Sequence, residues 1–489
     1  MKKSSLKKVL AIFLVLFLTI NTGEISFAKK ITPSSAMLES LGNSLLEGEY
    51  PSEADVLPSE TQEDKDAKVI KGGVATAIDI NLANSIRLAL GNNPRIRAAM
   101  NDAMAAHTRI AQAWSNYFPQ ISWTTQASKI RQLELEDAFS EILVYNYYLL
   151  GQITLSQMLY DFGVTQNQVT IKKISYEQYK TTLTGIINDV IYRTKDAYYN
   201  LLFAHDQYKI AVEDVEKYEK FYNQAKAFYE VGLKSKNDVT IAQVNLSKAK
   251  LQLITAENAI DLAVAKLNKE MGVPYYNKYN MTERLSYFPI KMSLEDAVET
   301  AKKSRPELKV AELKVEEANQ TVKLSKKAYN PVLEFNASYA RGGASWNSNY
   351  GYNYGIYLNF PTINVLYNQK QIQEAKSLYQ KELANAQETK NSIYLEIQEA
   401  YLTLEEKKKK IPVSIIQIKQ AEANYKLSFG RYHVGAGTSL ELKESQVSYN
   451  DALLNYYKGL YEYNSAKALL EKAIGKNIVE KDNGKIDIN

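Results

Sequence analysis

Positions 183, 187, 190, 194, 197, 201, 204, 208, 211, 215, 218, 222, 225 and 229 step by four and three, and all but Thr194 are apolar or aromatic. A stripe of that period is a coiled-coil seam. It predicts one helix over about 164–230, a rod of roughly 100 Å at 1.5 Å per residue. A return helix follows, with Val239, Ala242, Leu246, Ala249, Leu253, Ala256, Ile260, Ala263 and Leu267 alternating large and small. Small residues at every second seam position let two backbones approach while large ones fill the gaps. Between the helices lies "YEVGLKSKNDV" (229–239), and Gly232 supplies the permissive backbone that a hairpin bend needs.

Elsewhere the period changes to two. Ile121, Trp123 and Thr125 alternate with Ser122 and Thr124, and "GQITLSQML" (151–159) continues the pattern. "VLEFNASYA" (332–340) and "YGYNYGIYLNF" (350–360) do the same, with Tyr350, Tyr352 and Tyr354 on one side. These are strand signals, paired as two hairpins. Upstream, residues 82–117 read as helix, broken at Asn92-Asn93 before Pro94 and ended by Pro119.

The patterns occur twice. Leu82, Ala89, Pro94, Ala99, Tyr117 and Pro119 recur 212 residues later as Leu294, Ala301, Pro306, Ala311, Tyr329 and Pro331. Beyond the first hairpin the offset becomes 203, so that Tyr229, Val231 and Gly232 recur as Tyr432, Val434 and Gly435. The second return helix carries Leu442, Ser445, Tyr449, Ala452, Tyr456, Gly459, Tyr463, Ala466 and Leu470 in its seam. The chain therefore divides into repeat 1 at 76–280 and repeat 2 at 281–475, each ordered helix, β-hairpin, long helical hairpin, with a tail at 476–489.

Composition sets the compartment. Four lysines, the apolar run Val9–Ile20 and Ser26-Phe27-Ala28 read as a signal peptide over 1–28, in preference to an uncleaved anchor. Its removal takes the net charge from +5 to +2, which gives no pull toward nucleic acid. No cysteine is present, so neither disulfides nor a lipidated cysteine contribute. Residues 29–75 stand outside the repeat; Glu47–Lys68 holds eight acids and two lysines and reads as a flexible acidic linker, with an interaction tail as second choice. The 36 tyrosines suit both helix seams and a fat–water boundary.

Four strands in one chain make an open sheet, whose edges a membrane does not tolerate, and the smallest membrane barrels have about eight strands. Closure therefore needs several chains. With the Pro94–Pro119 and Pro306–Pro331 pairs and the two bends, the chain from 76 to 475 resembles the outer-membrane efflux proteins of the TolC type. The resemblance implies a mainly α fold with a β-barrel portion: a trimeric α-barrel of long coiled-coil helices, joined to a shared 12-stranded transmembrane barrel with four strands per chain. It implies a passive exit duct in the outer membrane of a diderm bacterium, its helical barrel in the periplasm. Such a duct serves a tripartite efflux or type I secretion system. The implied partners are two further copies of the chain, outer-membrane lipid, a periplasmic adaptor (membrane fusion protein) and an inner-membrane pump of RND, ABC or MFS type.

It also implies a role for the bends, as a mouth that the adaptor opens. Tyr432, Glu441, Glu444 and Asp238 match gate positions, and Val231, Gly232, Leu233, Ser235, Val434, Gly435, Thr438 and Ser439 are the docking tips. Three copies of Glu441 and Glu444 form carboxylate rings that favour cations. An acid just after a bend also stabilises the first turn of its helix, and both readings stand. Gly437 occupies the place of a basic gate partner; Lys234, Lys236 and Arg431 are the candidates for that role. Trp123, Tyr145, Tyr147, Tyr148, Trp346 and Tyr350–Tyr354 mark the membrane rim or the outer loops. His107, His205 and His433 lie far apart, and no phosphate loop or metal-ligand cluster is present, so no enzyme, cofactor or metal is expected. The alternative is a secreted or periplasmic coiled-coil structural or adaptor protein without a barrel. It accounts for the rods but not for the hairpins.

Overall fold

The computed structural model describes residues 78–125, 128–135, 142–343, 349–362 and 364–476, with the short pairs 479–480 and 486–487. The signal peptide and acidic linker expected from the sequence, and Trp346, lie outside the described residues. The described residues fall into two units, one within Ala77–Gly475 and one that holds Lys476 and the pairs 479–480 and 486–487.

The first unit opens with β1 (Ile78–Ile80), α1 (Leu82–Asn92) and α2 (Pro94–Trp114). The break between the helices is a cap: Asn93 accepts from the Arg95 backbone N–H at 2.9 Å, and Pro94 starts α2 where no N–H is needed. A 3-10 turn at Ser115–Tyr117 and Pro119 end the helix, and the chain becomes β2 (Gln120–Thr124), β3 (Ser128–Leu135) and β4 (Ile142–Tyr160). Next comes α3 (Val164–Glu230), 67 residues and about 100 Å long, then α4 (Lys236–Met271) and β5 (Tyr279–Met281). The order then recurs: α5 (Leu294–Ser304), α6 (Pro306–Lys326), a 3-10 turn, β6 (Val332–Gly343), β7 (Asn349–Asn359), α7 (Val365–His433) and α8 (Ser439–Ile474).

In each copy one long helix runs beside a two-piece one. Asn93 Nδ2 donates to the Glu270 carbonyl at 2.7 Å, which sets the end of α4 against the start of α2. Arg305 Nη1 donates to the Lys472 carbonyl at 2.7 Å and does the same for α8 and α6. The long helix α3 packs on α2, α4, α6 and α8, and α7 packs on α6 and α8. The small seam residues Ala242, Ala249, Ala256 and Ala263 are buried, and Leu246, Leu253 and Ile260 between them are half-buried. A second apolar stripe, Val244, Leu251, Ile254 and Leu262, is exposed on α4, as are Leu395, Leu402, Val413 and Ile416 on α7.

The strands form one antiparallel sheet in the order β2–β4–β6–β7, with β3 continuing the β2 edge along the other half of β4. This amounts to four strand positions with free edges at β2/β3 and at β7. Register sorts the side chains. Trp123, Ile153, Tyr339 and Tyr352 lie in one row, and Ile121, Leu155, Ala337 and Tyr354 in the next. The alternate rows are Ser122, Thr154, Ser338, Asn353 and Gln120, Ser156, Asn336, Gly355. One face is thus apolar and aromatic, the other small and polar, as in a barrel wall between lipid and water. At 12 and 11 residues, β6 and β7 are long enough for tilted strands to cross the apolar layer. No described helix is long and apolar enough to cross a membrane.

The second unit contributes β8 (Val479–Glu480) and β9 (Ile486–Asp487), an antiparallel pair.

Candidate functional site at the two bends

Local sequence makes the two bends alike. Gly232 and Gly435 take φ of +75° and +79°, a left-handed geometry that a side chain would strain. Ser235 and Thr438 then cap α4 and α8, each accepting from the backbone N–H three residues on. Val231, Leu233 and Val434 are left exposed at the tips, so the expected docking residues present an apolar surface.

The acids after the bends are repeat counterparts with different partners. Asp238 closes a capping box, taking the Ser235 backbone N–H at 3.2 Å and its hydroxyl at 2.8 Å. It also accepts from the Ser439 hydroxyl at 3.3 Å, which ties one bend to the other. These hydrogen bonds, Ser235 foremost, hold its carboxyl below the usual range. Glu441 instead meets Arg431 Nη1 at 3.0 Å. Glu444 is exposed and, three residues on, shares the face of Glu441.

Gly437 has a steric reason. A Cβ there would lie 2.9 Å from the Tyr432 nitrogen and 3.2 Å from the Arg431 carbonyl carbon, so backbone fills the place of any side chain. Of the three candidates for the basic role, Arg431 pairs with Glu441. Lys234, the repeat counterpart of Gly437, places its ammonium 5.4 Å from the centroid of the Tyr432 ring.

Tyr432, expected at the gate, is a buried side chain. It is fully buried in a cluster of Phe221, Ala225, Ala242 and Leu442, with Tyr222, Phe228 and Tyr425 around it. Its ring lies 5.0 Å from Phe221 and 6.4 Å from Phe228. Its hydroxyl is buried without a partner, and burial pushes it up from its ordinary pKa. The cluster joins the α3/α4 hairpin to the α7/α8 hairpin, and Gln224 meets His433 Nδ1 across the same line at 3.1 Å.

Sequence reasoning missed Phe221 and Phe228. It followed one seam and placed Tyr222 in it, whereas Phe221 is the buried residue and Tyr222 is half-buried. The reason is geometric: α3 packs against more than one helix, so a second stripe lies beside the first. Among the described residues, no group of three or more His, Asp or Glu could hold a metal ion.

Helical rods that end in paired bends are joined here to an open sheet with one lipid-suited face, the parts expected of a membrane channel built from several copies. The outer membrane efflux protein family model matches residues 85–273 and 297–476, and the chain belongs to that family. Protein CyaE of Bordetella pertussis is 22% identical over 385 residues, covering 76% of this chain and 79% of that protein. The alkaline protease secretion protein AprF of Pseudomonas aeruginosa is 23% identical over 300 residues, 58% of this chain and 61% of its own length. The crystal structure of the Campylobacter jejuni CmeC outer membrane channel superposes with a TM-score of 0.69 at 18% identity, covering 89% of this chain and 91% of that one.

The protein is therefore an outer-membrane efflux or secretion channel, mainly helical with a β-sheet portion, its helical part in the periplasm. Its family is one of channels, not enzymes, and family channels are trimeric and work with adaptor and inner-membrane pump partners.

Proposed function

We propose that three copies of this chain close their sheets into one 12-stranded barrel and their rods into one tube. The tube is closed at the bends until an adaptor docks on them. The observation that carries this is the sheet: four antiparallel strand positions, an apolar face and two unpaired edges. Free edges within a membrane are untenable, and neighbouring copies supply the missing partners. The exposed stripes on α4 and α7 support the same assembly, because large apolar surfaces on rods that meet no neighbour in the chain mark contact faces. The coiled-coil alternative leaves the sheet's lipid-suited face without a purpose.

At the mouth, Glu441 and Glu444 form the acidic ring, with Arg431 setting the orientation of Glu441. Asp238 holds the first bend in shape, and Tyr432 acts from inside by gluing one hairpin to the other. Val231, Gly232, Leu233, Ser235, Val434, Gly435, Thr438 and Ser439 are the surface an adaptor meets. Repeats at 76–280 and 281–475 each supply one hairpin to wall and tube. The relative named for alkaline protease secretion makes type I export of a protein one use of such a duct. The pump is of RND, ABC or MFS type.

The test is mass measurement of the detergent-purified protein, together with the double variant Glu441→Ala, Glu444→Ala in bilayers. A complex of three chains and a weaker cation preference are expected. A monomer sinks the shared barrel; a trimer whose selectivity the double variant leaves unchanged sinks the acidic ring.

A further inference from the structure

Within the sheet the duplication left one matched pair unlike its counterpart. Ser122 recurs as Glu334 at the offset of 212, and Thr154 recurs as Tyr357 at the offset of 203. Each pair is in register: Ser122 of β2 stands opposite Thr154 of β4, and Glu334 of β6 stands opposite Tyr357 of β7. Ser122 and Glu334 each come three residues after the proline that ends the helical segment, Pro119 and Pro331. Both pairs therefore lie near the end of the wall where the helices begin. The first repeat builds this position from two small neutral side chains, so neither a charge nor a large ring is needed to form the strands.

The second pair is on the polar face. Two residues nearer the helices than Ser156, Asn336 and Gly355, that face carries Met158, Glu334 and Tyr357. Asn359, two residues beyond Tyr357 and on the same face by alternation, donates from Nδ2 to Glu334 Oε2 at 3.1 Å. An amide is neutral, so it orients the carboxylate without cancelling its charge. A Cβ at Gly355 would lie 3.2 Å from Cε2, Cζ and Oη of Tyr357. The ring thus runs along the wall over a position that glycine keeps open, and it remains 44% exposed. The three further rows of this face, those of Gln152, Thr154 and Ser156 with their partners, hold only Gln, Thr, Ser, Ala, Asn and Gly. The one charge and the one aromatic ring of these four rows are side by side.

We propose that Glu334 and Tyr357 are a specificity-determining pair inside the barrel, and that they favour the passage of organic cations. The proposal rests on the three-chain channel reading and deepens it, because only a closed barrel turns the polar face toward a water-filled lumen. Three copies then place three carboxylates at one level, which favours cations over anions. The ring opposite each carboxylate attracts the same sign of charge through its π-electrons. A carboxylate by itself does not tell a metal ion from an ammonium ion. A carboxylate with a tyrosine ring across from it does, because a substituted ammonium ion also packs its apolar groups on the ring. The solute class is therefore amines and quaternary ammonium compounds.

The test uses the full-length protein, purified in detergent and placed in planar bilayers under a potassium chloride gradient, with tetrapropylammonium added on the barrel side as the probe. Glu334→Gln keeps the size and removes the charge. It is expected to lower the potassium-to-chloride permeability ratio roughly threefold, both in the wild type and in the Glu441→Ala, Glu444→Ala background. Where Glu334→Gln fails to assemble, Glu334→Ser, the residue of the first repeat, is read in the same way. Tyr357→Thr likewise installs the residue of the first repeat, and it is expected to weaken tetrapropylammonium block roughly threefold. Tyr357→Phe keeps the ring and is expected to restore the block. A permeability ratio that stays at the wild-type value in a conducting Glu334 variant overturns the filter. Block that Tyr357→Thr leaves at wild-type strength overturns the role of the ring. A wild-type protein that is monomeric or carries no current overturns the channel reading instead.

Discussion

Tyr229 and Tyr432 are the same residue of the two repeats, each three positions before its bend glycine, yet Tyr229 is 45% exposed and Tyr432 is 0% exposed. The backbone around them is nearly identical. What differs is the neighbour. Tyr432 lies under Phe221 and Phe228 from the other hairpin, while Tyr229 looks outward. The duplication supplied one local device, a glycine stop followed by a hydroxyl cap. Packing then made the two copies unequal: Tyr432 is held by side chains from the first hairpin and Tyr229 is left exposed, while Val231 and Val434 are exposed at both bends. The acids divide in the same way. Asp238 is committed to its own cap, and its counterpart Glu441 is held by an arginine that leaves it on the surface.

The largest test of this division is to remove both tyrosines in turn. Tyr432→Ala should cost about 3–5 kcal/mol, as loss of a buried aromatic does, and should separate the hairpins at the tip. Tyr229→Ala should stay within about 0.5 kcal/mol, the range for an exposed site. Thermal unfolding of both variants in detergent reads the difference; equal effects would mean that the bends are equivalent after all. Tyr432→Phe sharpens the point. It removes a hydroxyl that is buried without a partner, so stability should be unchanged or slightly raised.

Caps come next. Ser235→Ala removes the Asp238 box and should cost about 1 kcal/mol, and Thr438→Ala about the same or less, since Glu441 does not complete a box there. Helix protection by hydrogen exchange in the first turns of α4 and α8 is the measurement. A larger loss in α8 would reverse the assignment.

Acid should loosen the first bend. Asp238 titrates below its ordinary value of 3.8 in the folded state, so its contribution is complete above that pH and is lost as pH falls through the depressed folded value. Hydrogen exchange below about pH 4 should loosen the start of α4, and Asp238→Asn should show the looser exchange already at pH 7. A wild-type profile flat down to pH 2 would contradict it. Smallest of all is Arg431→Ala, which breaks an exposed pair and should cost less than about 1 kcal/mol of stability while freeing Glu441. Its signature is a change in cation selectivity with an unchanged melting temperature.

Much of the architecture could be read from periodicity. The seam over 183–229 placed α3 within its true bounds, and Pro94 marked a real cap, because both signals are local. The period-two runs located the sheet, and the register then showed what the alternation was for. Phe221 and Phe228 were illegible for the opposite reason: their burial is decided by a hairpin some two hundred residues away. Gly437 read as a missing base when it is a close approach of backbone to backbone, which composition does not reveal. Tyr145, Tyr147 and Tyr148, read from the sequence only as rim or outer-loop residues, fall in β4, whose first half the period-two runs did not reach.

The most direct test of the central claim is single-channel conductance of the purified protein in a planar bilayer, with a trivalent cation added on the rod side. Discrete steps, cation preference and block from that side only, relieved in the Glu441→Ala, Glu444→Ala variant, are the predicted result. Well-folded protein that stays soluble without detergent and carries no current would contradict it.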